Sequence, residues 1–156
     1  MSQAVQDTSP VVQTIDVNAV PERVFALWTE PNKLVQWWPE AATLEPRVGG
    51  ALLLQFPQGN VSGEVTRFEP PSALGFTWVR SDFPDYTTTV DVSISDLGDG
   101  RSRIELVHSG WEALPDEYVA EWKAMHSAGW QHFLGLLDDL VAGRPVDKTF
   151  GAEEVG

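Results

Sequence analysis

Histidine is the side chain whose charge changes nearest neutral pH, and this sequence has three, His108, His126 and His132. His126 and His132 stand six residues apart, which is about 120° around a helix. Two zinc ligands on one helix need a spacing of three or four, so no metal site is expected from this pair. His108 belongs to "RSRIELVHSG" (101–110), where strand alternation puts it on the face of Ile104 and Leu106. An imidazole among apolar groups must find a hydrogen-bond partner, and desolvation favours its neutral form. Two roles suit His108: a satisfied core histidine, or a polar anchor or general acid–base for a bound molecule. It is the best catalytic candidate in the chain.

The other candidates are aromatic. Seven tryptophans in 156 residues are the departure from ordinary composition. Trp37 and Trp38 are adjacent in "QWWP". On a short helix they point about 100° apart, so one is expected inward and the other at a cavity mouth or in solvent. Trp78 shares a strand face with Leu74 and Phe76, and Arg80 continues that face. Near a strand end Arg80 reads as a solvated rim charge, with pairing to a ligand carboxylate as its functional alternative. Trp122, Trp130 and Phe133 fall on one apolar face of a long helical pattern. Tyr86 and Glu64 are weaker candidates. The candidate ligand-binding set is Trp38, Trp78, Arg80, Tyr86, His108, Trp122, Trp130 and Phe133.

Several chemistries lack their residues. There is no cysteine, which removes disulfides, thiolate metal sites and a cysteine nucleophile. The serines in "HSG" and "HSAG" are not in a G-x-S-x-G elbow. Gly98-Asp99-Gly100 lacks the third glycine of a dinucleotide fingerprint, and no Walker sequence occurs. No cofactor is expected.

The elements that must position these residues follow from periodicity. "PVVQTIDV" (10–17) reads as a strand. "VPERVFALWT" (20–29) changes to helical spacing with Pro21 at its start, and "NKLVQWW" reads as a second short helix stopped by Pro39. From 43 to 109 the pattern is β: 50–56, 61–70, 73–80, 86–95 and 101–110, with Asp99-Gly100 as a hairpin signal. "PDEYVAEWKAMHSAGWQHFLGLLDDLVAG" then keeps helical spacing to Ala142, with Trp122, Met125, Gly129, Phe133 and Leu140 on its apolar face. Gly129 inside this helix costs about 1 kcal/mol relative to alanine, and Gly63 and Gly75 interrupt strands. Each glycine marks either close packing or room for a ligand.

Strands followed by one long helix imply an α+β domain over residues 10–143: a curved antiparallel sheet of about six or seven strands under a C-terminal helix. Residues 1–9 and 144–156 are polar and expected to be disordered. The net charge of −13 and the absence of a basic cluster argue against nucleic acid. No apolar run approaches the length of a membrane span, and no basic-then-apolar leader opens the chain. A cytoplasmic protein without membrane insertion is expected.

Five segments in order, "VPERVFALWTEPNKLVQWW" (20–38), "GG" (49–50), "GEVTRFEPPSALGFTW" (63–78), "SRIELVHSGW" (102–111) and "GWQHFLGLL" (129–137), carry a resemblance. The sequence resembles the single-domain helix-grip proteins of the START and birch-pollen-allergen superfamily, and within it homologues of the C-terminal domain of the activator of the heat-shock protein 90 ATPase. The resemblance implies a sheet gripping the helix around an elongated apolar cavity that holds a small hydrophobic molecule. It also implies two alternatives. One is a cyclase-, aromatase- or hydrolase-like enzyme using His108, with Arg80 or Tyr86. The other is a chaperone-interacting stress protein using exposed aromatics such as Trp37 or Trp111. Because strand one begins at residue 10, without the activator's N-terminal docking domain, chaperone stimulation is the less expected role. A homodimer is compatible with exposed indoles.

Overall fold

The structure is a computed structural model in which residues 7–148 are described. Residues 1–6 and 149–156, within the expected disordered ends, lie outside the described residues. The chain runs β1 (Val11–Val17), α1 (Pro21–Thr29), α2 (Pro31–Leu34), β2 (Ala41–Leu44), β3 (Ala51–Phe56) and β4 (Gly59–Glu69). It continues through β5 (Ala73–Arg80), β6 (Thr87–Gly98), β7 (Arg101–Ser109), a single 3-10 turn at Trp111–Ala113, and α3 (Asp116–Val141).

All neighbouring strands are antiparallel, in the order β1-β7-β6-β5-β4-β3-β2. After β1 the chain crosses through α1 and α2 to the far edge. It then meanders back until β7 pairs with β1, Val11 opposite His108 and Val17 opposite Ser102. This is an α+β helix-grip fold, a curved open sheet of seven strands holding α3 on its inner face. At 26 residues and 1.5 Å per residue, α3 is about 39 Å long, enough to cross the sheet.

Local chemistry explains where elements start and stop. Pro21 and Pro31 each occupy a first helical position, where no N–H is needed. The second helix is shorter than its sequence implies. It ends at Leu34, and Gln36 and Trp37 close tight turns onto the Lys33 and Leu34 carbonyls. Pro39 disfavours helical backbone at Trp38, so the paired indoles are carried by an irregular turn. Asp99 and Gly100 both have positive φ, 55° and 75°, as a two-residue hairpin turn requires.

The inner face of the sheet is read off by alternation: Leu52 and Leu54 on β3, Phe76 and Trp78 on β5, Val90 and Val92 on β6, and Ile104 and Leu106 on β7 are all buried. An irregularity in β4 between Val65 and Arg67 shifts the parity. Val61 and Val65 are buried ahead of the shift; beyond it Phe68 turns inward and packs against Phe25 at 5.3 Å, while Glu64 and Thr66 are exposed. Gly63 is a close approach and not a vacancy, because a Cβ there would run into the Thr77 carbonyl.

Candidate functional site beneath the long helix

All seven indoles are buried, none more than 4% exposed. Trp37 and Trp38 do not diverge as expected of helical neighbours. Their rings stack, with centroids 5.4 Å apart and planes 19° apart. Trp37 is enclosed and donates its N–H to the Leu27 carbonyl at 3.0 Å. Trp38 points beneath α3, where it meets Trp78 in a nearly parallel stack (6.0 Å, 12°) and Trp130 at 5.0 Å.

Between these rings lies a small gap lined by Trp38, Trp78, His126, Gly129, Trp130 and Phe133. Its free volume is about 10 Å³, room for about one water molecule. At this place, among the described residues, packed aromatic rings take up the space that the resemblance assigns to an elongated cavity. Four of the candidate ligand-binding residues, Trp38, Trp78, Trp130 and Phe133, converge here, and Gly129 supplies the wall without a side chain.

His108 faces inward and is fully buried, and both of its ring nitrogens are engaged within the protein. Trp130 Nε1–H donates to Nδ1 at 3.0 Å, so Nδ1 carries no proton. Nε2–H then donates to Thr88 Oγ1 at 2.8 Å. Burial holds its pKa well below the usual imidazole value, with His126 as a smaller cause. The ring packs at 4.4 Å from Trp111, whose N–H returns to the His108 carbonyl. It is a closed polar node beside the gap.

The imidazole that reaches the gap is His126, which the sequence pattern yielded only as half of a rejected metal pair. Its Nδ1–H donates to the Trp122 carbonyl at 2.8 Å. That fixes Nε2 as an acceptor, met by Trp78 Nε1–H at a long 3.3 Å. Burial depresses its pKa to about 4. The available signal was helical spacing: His126 follows Trp122 by four residues and precedes Phe133 by seven. It therefore takes the inward position, while Met125 is only half-buried.

The remaining candidates form a second cluster one helical turn away. Arg80 is no rim charge; it is 6% exposed. Its Nε and Nη2 grip the Asp82 carboxylate at 3.0 and 2.7 Å, and its guanidinium lies 4.6 Å over the Trp122 ring. Phe83 packs against Trp122 at 5.2 Å and stacks with Tyr86 at 6.3 Å. Nη1 of Arg80 has no hydrogen-bond partner. The structure thus separates Arg80, Tyr86 and Trp122 from the gap, with His126 between the two groups. Glu64 is exposed on the outer face and belongs to neither.

Among the described residues no group of three His, Asp or Glu side chains is placed to hold a metal ion. None of the described helices is long and apolar enough to cross a membrane.

Comparison with known proteins gives the setting for this geometry. The family described as "Activator of Hsp90 ATPase homolog 1-like protein" matches residues 18–142. No curated protein matches the sequence. Among solved structures, CalU16 from Micromonospora echinospora aligns with 25% identity over 89% of this chain and 78% of its own, at a TM-score of 0.70. The Aha1 dimer from Colwellia psychrerythraea aligns with 20% identity over 85% and 95%, at 0.69. PFC0360w, an HSP90 activator from Plasmodium falciparum, aligns with 23% identity over 88% and 98%, at 0.68.

Proposed function

The chain belongs to the family of Activator of Hsp90 ATPase homolog 1-like proteins, and from that premise we propose that it binds a small, flat, apolar molecule beneath α3. The observation that carries this reading is the gap among Trp38, Trp78, Trp130 and Phe133, open against Gly129. Aromatic walls with one fixed polar group are the usual make-up of a small-molecule site. Here that group is the acceptor nitrogen of His126. A single water's volume does not hold such a ligand, so binding requires the walls to part. Trp38 is the side chain placed to do so, because it rides on the irregular turn after α2. Trp78 and Trp130 are each tethered through their N–H to a histidine.

The geometry disfavours catalysis by His108, since a ligand reaching either ring nitrogen must first break a buried hydrogen bond. A chaperone-directed role is favoured by the family alone. Its expected contacts are missing, as Trp37 and Trp111 are both fully buried.

Calorimetric titration with naphthalene-class probes tests the ligand reading. Saturable binding by the wild type, lost in Gly129→Leu while the fold persists by circular dichroism, is the expected result. Equal binding by both proteins, or by neither, overturns it.

A further inference from the structure

Resting on that reading of the gap, we infer that its ligand is an anion: an apolar molecule whose carboxylate is taken by Arg80. A guanidinium presents two edges that each match a carboxylate, the side edge of Nε and Nη2 and the end edge of Nη1 and Nη2. Asp82 occupies the side edge. At the end edge Nη1 stands buried with no acceptor, although the Arg80 side chain is 93% withdrawn from solvent, being only 7% exposed. A buried donor on a charged group without a partner is costly. An arriving carboxylate removes that cost and finds a charge already desolvated on the Trp122 ring.

The placement fits one elongated molecule. Arg80 is two residues beyond Trp78 on the same face of β5, about 6.6 Å along the strand. On α3, Trp122 precedes the gap-lining His126 by one turn, about 6 Å. An aromatic body among Trp38, Trp78 and Trp130 with a carboxylate on a short aliphatic arm spans that interval, passing the His126 ring. The charge of Arg80 already reaches His126, whose proton affinity it lowers. The overall charge of −13 opposes anions at long range, but this repulsion is screened beyond about 8 Å at physiological salt. The local contact therefore decides.

The experiment compares phenylbutyrate with phenylbutanol, its uncharged counterpart, by calorimetry at about 0.15 M salt. Phenylbutyrate is expected to bind about tenfold more tightly or better. Arg80→Gln removes the preference. Because that variant empties a buried site, Asp82→Asn serves as the second: it leaves Arg80 in place, removes the negative charge that partly neutralises the guanidinium from its other edge, and tightens phenylbutyrate severalfold without changing phenylbutanol. Phenylbutanol binding as well as phenylbutyrate to the wild type overturns the anion assignment and leaves the gap reading intact. So does an unchanged phenylbutyrate affinity in Asp82→Asn. Binding of neither compound overturns both.

Discussion

Two buried imidazoles with opposite tautomers organise the interior at the scale of single residues. His108 is protonated on Nε2 and His126 on Nδ1, and each uses its bare nitrogen to accept an indole N–H. Their rings meet edge-on at 5.2 Å. A neutral ring with one donor and one acceptor suits this arrangement; a charged ring has two donors and faces an indole N–H with nothing to offer. Trp130→Phe leaves His108 Nδ1 without its donor and also removes one ring of a buried indole, so its cost includes lost packing. It should destabilise the protein by about 1–3 kcal/mol, read from urea midpoints at unchanged slope. Thr88→Val leaves the Nε2–H unpaired and should cost a similar amount. Neutral behaviour of both variants is incompatible with the tautomer assigned to His108.

At the scale of elements, α3 contributes an interrupted apolar stripe: Trp122, His126, Gly129, Trp130, Phe133 and Leu137 face the sheet. Gly129 is the position where helix stability and the gap compete. Gly129→Ala should raise stability by up to about 1 kcal/mol through helix propensity, and its methyl group should weaken binding of naphthalene-class probes. Thermal melts and titrations on the same samples check both signs. The succession of elements along the chain, the long helix and the inward direction of His108 were legible because alternation and helical spacing are local. The turn at Trp37 and Trp38 was not, because it depends on how Pro39 limits the residue before it. Nor was the burial of Arg80 legible. A strand-end arginine reads as a rim charge until the loop carrying Asp82 and Phe83 folds over it. The burial of His126 was not legible either, because a polar ring reads as a surface residue until the Trp122 carbonyl is seen to accept its Nδ1–H.

For the molecule as a whole, the histidines link stability to pH. Both have lowered pKa values when folded, through burial first of all. The unfolded chain therefore takes up protons that the folded one refuses. Stability is full above the ordinary imidazole value of about 6.5. It falls as pH drops from there toward about 4, where His126 itself titrates when folded. Each histidine contributes a slope of about 1.4 kcal/mol per pH unit within that window. The groups facing His126 partly offset one another, Arg80 lowering its proton affinity and Asp82 raising it. His132 adds a shift of the same direction, opposed by Asp147. Asp7, Asp16 and Glu45, held below the usual carboxylate range by hydrogen bonds from Ser9, Arg103 and Ala51, add their loss only at lower pH. Urea unfolding at pH 7, 6 and 5 should show this decline, and His126→Gln should reduce its steepness. A flat profile contradicts the neutral, buried state of the pair.

The central claim is that an apolar molecule enters among the indoles beneath α3. The most direct measurement is a nitrogen–proton correlation spectrum of the tryptophan side chains during titration with naphthalene. Movement of the Trp38, Trp78 and Trp130 indole signals, with Trp37 and Trp111 holding their places, is the result expected. Seven unmoved indole signals at saturating probe, or shifts confined to Trp37 and Trp111, contradict it.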